Sequence, residues 1–294
     1  MIYTPAIKLT RHPQYTRFLE NKQGPYIINM EISPSGKCKA GCKWCFYRNN
    51  LSNEMINAYK CHQAIREMVT CGCKAITWSG GGDPTSHPDL PKLIEDNTDI
   101  KHGLFTNALY RCDIKPEHLE WVRITWTPQL TVEQILQYSF VGKVGMVVNY
   151  SGDDKMLKAA LKLAEETELD YLHVRPALGT KGNTVNIKPP SITHPLLQYQ
   201  GYKFSDAGIK HQYSKCMGYH FVPFISENGN VYVCNYMTTD DYKIGSIYER
   251  GISEIMQAAN KSFPVIDTCQ VCCKNHEINS LLNFAVNAKD VDFV

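Results

Sequence analysis

The chain has 294 residues, 43% of them hydrophobic, enough for an ordinary buried core, which excludes a wholly disordered chain. Its 31 Lys and Arg are matched by 29 Asp and Glu, so charge offers no argument for a nucleic-acid or membrane surface as partner. No apolar run approaches the ~20 residues of a membrane span, and the charged stretch Met1–Gln23 has no apolar centre for a signal peptide, so a cytoplasmic protein is expected.

In chain order, Tyr26–Ser33 reads as a strand, Met55–Thr70 as a helix, and Lys74–Ser79 as a strand that stops at three glycines. Leu90–Glu95 is a short helix, Gly103–Asn107 and Trp121–Trp126 are strands, and Val132–Phe140 is helical. The strand Gly142–Tyr150, the amphipathic helix Lys155–Glu168 and the strand Tyr171–Arg175 follow. This alternation implies parallel βα units. Six strands suit either an open barrel or a doubly wound sheet, with the active site at the C-terminal strand ends. Strand alternation turns Asn29, Glu31, Ser33, Thr77, Ser79, Arg123, Thr125, Tyr171, His173 and Arg175 inward. So polar an interior needs partners. A polar substrate and cofactor would supply them; an internal salt bridge of Glu31 with Arg123 or Arg175 is the alternative. His173 and Glu31 are the candidates for substrate contact or proton transfer.

After Ala177 the rhythm breaks. Gly179–Pro195 reads as a linker. The β-like runs His220–Ser226 and Asn230–Tyr236 flank the hairpin signal Glu227-Asn228-Gly229. A short helix, Ile252–Ala259, comes next, and Leu281–Val294 is a tail without assignment. A unit this small would gain stability from a bound metal group.

Twelve cysteines in an intracellular chain read as metal ligands or reactive thiols. Cys38, Cys42 and Cys45 have the spacing C-x3-C-x2-C, in the loop after the first strand. Three thiolates can bind three irons of a cubane and leave the fourth open. Structural zinc wants a fourth ligand, and the nearby His62 falls in the next predicted helix.

This loop, with the aromatic Trp44 before its last cysteine, resembles the radical S-adenosylmethionine (SAM) superfamily. The resemblance implies an α/β fold: a partial (β/α)6 TIM-like barrel over residues 23–178, after an N-terminal extension, 1–22. It implies a [4Fe–4S] cluster whose open iron chelates SAM, an external reductant such as flavodoxin or ferredoxin, and a 5′-deoxyadenosyl radical that abstracts hydrogen from an unactivated C–H bond. Gly80-Gly81-Gly82-Asp83 after strand two resembles the family's SAM-binding turn, with Asp83 where Glu is usual. Glycines there let backbone approach a ligand without a Cβ in the way. Thr106 and Asn107 end strand three, with Ala108 where the family often has Gly, and Asn149 and Arg175 match positions of ribose and carboxylate contacts.

Cys216, Cys234, Cys269 and Cys272, with Gly229 between the first two, resemble the opening of the SPASM domain that follows many such barrels. Absence of cysteines after Cys273 resembles the shorter twitch variant, which implies a small α+β hairpin-and-helix domain over 205–278, after a 179–204 linker and before a 279–294 tail. The implied auxiliary [4Fe–4S] cluster would relay electrons. Cys273 could replace Cys272, and a four-cysteine zinc site fits the same residues. Cys61, Cys71, Cys73 and Cys112 read as packing, with a hydrogen-atom donor as the alternative.

The expected function is a radical SAM enzyme, of oxidoreductase or isomerase type, acting on a small polar molecule such as a sugar, aminocyclitol, amino acid or nucleotide-linked group. With only about twenty residues before strand one, no leader-binding domain is expected. A peptide or nucleic-acid substrate is the alternative, and a non-catalytic metal protein the third reading; the glycine turn argues against the last.

Overall fold

The computed structural model describes residues 5–20, 24–45, 47, 51–177, 187–199, 211–259, 263–265 and 275–287. Two short helices, α1 (Pro5–Leu9) and α2 (Pro13–Leu19), lead into β1 (Asn29–Ile32). The series α3 (Ala58–Thr70), β2 (Ala75–Trp78), α4 (Leu90–Glu95), β3 (Lys101–Thr106), β4 (Trp121–Thr125), α5 (Val132–Leu136), β5 (Val144–Tyr150), α6 (Asp154–Glu166) and β6 (Tyr171–Pro176) follows. Strands β1 to β6 pair in parallel in sequence order, which is the partial-barrel arrangement expected.

Local chemistry explains the helices. Asn57 caps α3 by accepting from the Lys60 N–H at 3.0 Å, and Asp153 caps α6 through Lys155. In α3 the buried positions Cys61, Ala64, Ile65 and Met68 form one stripe. It covers strand residues of the opposite parity, Met30, Ile32, Ile76 and Trp78, all 0–1% exposed. Each such side chain contributes about 1.5–3 kcal/mol on burial.

Inside, the N-terminal end of the barrel is plugged. The Arg123 guanidinium lies over the rings of Phe105, Trp121 and Tyr171 at 5.3–5.8 Å and donates to the Tyr171 hydroxyl at 3.0 Å. Gly103 and Gly145 make the space: a Cβ on either would fall 2.1–2.2 Å from the ring of Trp121 or Tyr171. The remaining interior therefore opens at the C-terminal strand ends.

The C-terminal half departs from expectation in three places. Within the expected linker lies a seventh parallel strand, β7 (Leu197–Tyr199), paired with β6; the rest of that linker includes residues outside the described set. The expected hairpin is shorter and joins the barrel's sheet. After β8 (Lys215–Cys216), β9 (Phe224–Ile225) pairs in parallel with β1, placing Phe224 beside Glu31. Strands β10 (Asn230–Tyr232) and β11 (Lys243–Ser246) continue the sheet antiparallel. His220 sits in a 3-10 turn instead of the strand, and Pro223, without an N–H to donate, ends the run on that side. The unit consequently shares a core with the barrel: Val231, Val233, Ile252 and Ile255 belong to the same buried cluster as Met30 and Trp78. Third, beyond α7 (Ile252–Ala258) and β12 (Phe263–Pro264), the tail forms α8 (His276–Asn287), which packs on α1 and buries Leu282.

Candidate active site

One cavity at the C-terminal ends of the barrel strands gathers most of the expected residues. Its lining includes Cys38, Cys42, Trp44 and Cys45 from the loop after β1, Gly80, Gly81, Gly82 and Asp83 after β2, and Thr106 and Asn107 after β3. Asn149 from β5, Arg175 from β6 and Glu31 from β1 complete the set. His173 is outside the lining; its ring lies 4.9 Å from that of Tyr171. Cys269, Cys272 and Cys273 fall outside the described residues.

The glycine turn is wedged against the cysteine loop. Gly82 donates to the Ser35 carbonyl and Asp83 to that of Lys37. A Cβ at Gly82 would lie 2.5 Å from backbone atoms of Gly36 and Lys37, just before Cys38. Asp83, 3% exposed, accepts from the Asn107 N–H at 2.6 Å, the Thr106 hydroxyl at 3.0 Å, and the Thr85 N–H and hydroxyl at 2.9 and 2.6 Å. Burial raises this carboxyl above the usual range, and the donors oppose it. The carboxylate and Thr106 are thereby committed to each other: they tie the turn to the end of β3. Asn107 Nδ2 donates to the Cys38 sulfur at 3.3 Å.

On the far wall, Arg175 donates to Asn149 Oδ1 at 2.7 Å across directly paired positions of β5 and β6. Glu31, 3% exposed, accepts from the Ser79 hydroxyl and from Asn235 Nδ2 at 2.7 Å.

Asn235, Tyr236 and Tyr47 also line the cavity, and none was singled out from sequence. Tyr47 donates to the Asn235 carbonyl. Glu227, read from sequence only as a turn residue, accepts from Ser33 at 3.1 Å, and burial raises its pKa. Nothing local to the chain marks Glu227, Asn235 and Tyr236, because the pairing of β9 with β1 carries them to the site, whereas Tyr47 lies two residues after Cys45 in the cysteine loop itself.

Residues 216–273 match the model of the SPASM iron–sulfur cluster-binding domain. Among solved structures, SuiB of Streptococcus suis bound to precursor peptide SuiA aligns with a TM-score of 0.62 at 15% identity, covering 88% of this chain and 71% of that one. SuiB bound to S-adenosylmethionine aligns at 0.62 and 15%, covering 88% and 73%. The native anSMEcpe structure with bound AdoMet aligns at 0.51 and 15%, covering 86% and 88%. No curated protein sequence matches the chain. The chain has the fold of these S-adenosylmethionine-binding structures, with a C-x3-C-x2-C loop after β1 and a match to the SPASM iron–sulfur cluster-binding domain over residues 216–273.

The chemistry of the donor set fits a radical SAM cofactor pair. Burial, with Cys38 and Cys45 nearby, pushes the Cys42 thiol up to about 11. Thiols crowded together in this way ionise together only beside strong positive charge, which iron provides. The buried indole N–H of Trp44 and Oδ1 of Asn235 have no hydrogen-bond partner among the described residues. Unsatisfied polar atoms in a cavity lining are places for a polar ligand. At Gly80, φ is +152°, and a Cβ would meet Ser33 at 2.1 Å, so the turn stays a side-chain-free backbone surface.

In the SPASM-type domain, Cys216 ends β8 and pairs with Phe263 of β12, and Cys234 bridges to Met237. Of the other cysteines, Cys61 is fully buried and pushed by burial to about 12, and Cys73 to about 11, as expected of packing residues. Among the described residues, no helix is long and apolar enough to cross a membrane.

Proposed function

We propose that this protein is a radical SAM enzyme that cleaves SAM reductively and abstracts hydrogen from an unactivated C–H bond of a small polar substrate, for dehydrogenation, epimerisation or rearrangement. The observation that carries the reading is the single cavity joining the cysteine loop, the glycine turn, and the polar wall of Glu31, Asn149, Arg175 and Asn235. Cys38, Cys42 and Cys45 would hold a [4Fe–4S] cluster. Gly80–Gly82 would present backbone to the SAM amino acid end, and Asn149 and Arg175 would take its ribose and carboxylate. Together, cluster and SAM supply a hydrogen-abstracting carbon radical when reduced by a donor such as flavodoxin or ferredoxin. Glu31, oriented by Ser79 and Asn235, would position the substrate or take its proton at a carboxylate oxygen, with His173 as the other candidate. Cys216, Cys234, Cys269 and Cys272 or Cys273 would hold a second [4Fe–4S] cluster as electron relay.

The polar lining supports a sugar, aminocyclitol, amino acid or nucleotide-linked group. A peptide is the competing substrate class, since the SuiB structure that aligns over 88% of this chain holds one. After anaerobic reconstitution, about eight irons per chain and 5′-deoxyadenosine formation under reductant are expected. Deuterium transfer from labelled candidates into 5′-deoxyadenosine assigns the substrate class; transfer from a peptide alone would overturn the small-molecule reading. A fully iron-loaded protein that leaves SAM intact would overturn the whole.

A further inference from the structure

Helix α8 and the residue just before it contribute two buried amides against the Cys216–Gly218 segment. Asn279 is 1% exposed. Its Oδ1 accepts from the backbone N–H groups of Met217 at 2.7 Å and Gly218 at 2.8 Å. Its Nδ2 lies 3.4 Å from the Cys216 sulfur. The amide's orientation is determined by this network: flipped, it would set an NH2 group against two N–H donors. Nδ2 must therefore face the sulfur. One turn earlier, Asn275 is also 1% exposed, and both polar atoms of its side chain have no partner among the described residues. It abuts Gly218, where a Cβ would lie 2.8 Å from the Asn275 side chain. Two buried amides, one on a cysteine sulfur and one unsatisfied, are costly in an apolar setting. They are what a polar, electron-rich neighbour would require.

We propose that Asn279 is a positioning residue of the SPASM-domain cluster, setting its reduction potential through an N–H···S bond to Cys216; this rests on Cys216 being a ligand of that cluster. An N–H donated to a ligating sulfur stabilises the more negative, reduced state and raises the potential. Asn279 would thus make the cluster a better electron acceptor from a substrate radical.

Asn279→Asp and the uncharged Asn279→Ala together separate this role from a structural one and from the bare effect of an added charge. The Asp carboxylate can still accept from Met217 and Gly218 but offers the sulfur no amide donor. In the full chain carrying Cys38→Ala, Cys42→Ala and Cys45→Ala, the remaining cluster is titrated by EPR-monitored reduction. Asn279→Asp is expected to retain iron and shift the midpoint to more negative potential. Asn279→Ala, read the same way, covers the case in which the added carboxylate prevents folding. An unchanged midpoint in an iron-loaded variant overturns the proposal. Cys216→Ala in the same background is expected to lose the cluster; retention of its full signal would instead overturn the ligand reading on which the proposal rests.

Discussion

The side-chain amide of Asn107 donates to the Cys38 sulfur at 3.3 Å while its backbone N–H is held by Asp83 at 2.6 Å. The glycine turn, the end of β3 and the first cysteine of the loop are thus joined in three bonded residues. On the proposed reading of Cys38 as a cluster ligand, Asn107 is bonded to a metal-ligating atom, and removal of such a group typically alters affinity or activity about 10–100-fold. Asn107→Ala is therefore expected to slow SAM cleavage by roughly 10–100-fold and to shift the barrel cluster to more negative potential. A wild-type cleavage rate with an unchanged EPR midpoint would refute this role.

Asp83 tests how the turn is held. Asp83→Ala strands the Thr85 and Thr106 hydroxyls and the Asn107 N–H in a buried site, costing about 3 kcal/mol. Asp83→Asn keeps one acceptor oxygen and should cost less. Anaerobic thermal unfolding should rank the chains wild type, Asn, Ala; equal midpoints for wild type and Ala would count against the network.

Gly82→Ala drives a Cβ into backbone, which has no rotamer through which to escape. The segment Gly36–Lys37 must shift, and Cys38 with it. A displacement near 1 Å costs on the order of 100-fold in rate, so cleavage of SAM should fall by about that factor. Gly142→Ala, whose Cβ would meet only the Glu120 carbonyl at an ordinary 3.9 Å, is the control and should cleave normally. Parity between the two variants would show the wedge to be unimportant.

His220 gives a pH signature. Its ring packs among Tyr219, Phe18 and Tyr26, and burial lowers its pKa from 6.5 to about 4. The unfolded chain takes up a proton below pH 6.5 that the folded chain refuses until about pH 4. Stability from the neutral ring is therefore complete above pH 6.5 and declines as pH falls toward 4, by up to ~3 kcal/mol. His220→Phe should flatten the unfolding free energy across that window. A slope unaltered by the substitution would remove His220 from the account.

What the sequence by itself determined is what short-range spacing encodes. The C-x3-C-x2-C loop and the glycine turn were legible because each follows its strand, Asn149 and Arg175 were singled out through the family resemblance, and alternation along a strand separates Glu31 from Met30 without further information. Tertiary structure alone decided the rest. The Asn235 contact with Glu31 depends on a parallel pairing between β1 and β9, segments almost two hundred residues apart, and no local pattern encodes the register of so distant a pair. The Asn279 contact with Cys216 sits in a tail that carried no motif, since one asparagine in an amphipathic helix looks like any other until the helix docks. Local periodicity reports which face of an element is buried. Which element covers that face, and which polar group then meets which sulfur, is set by long-range packing that the chain satisfies only when folded.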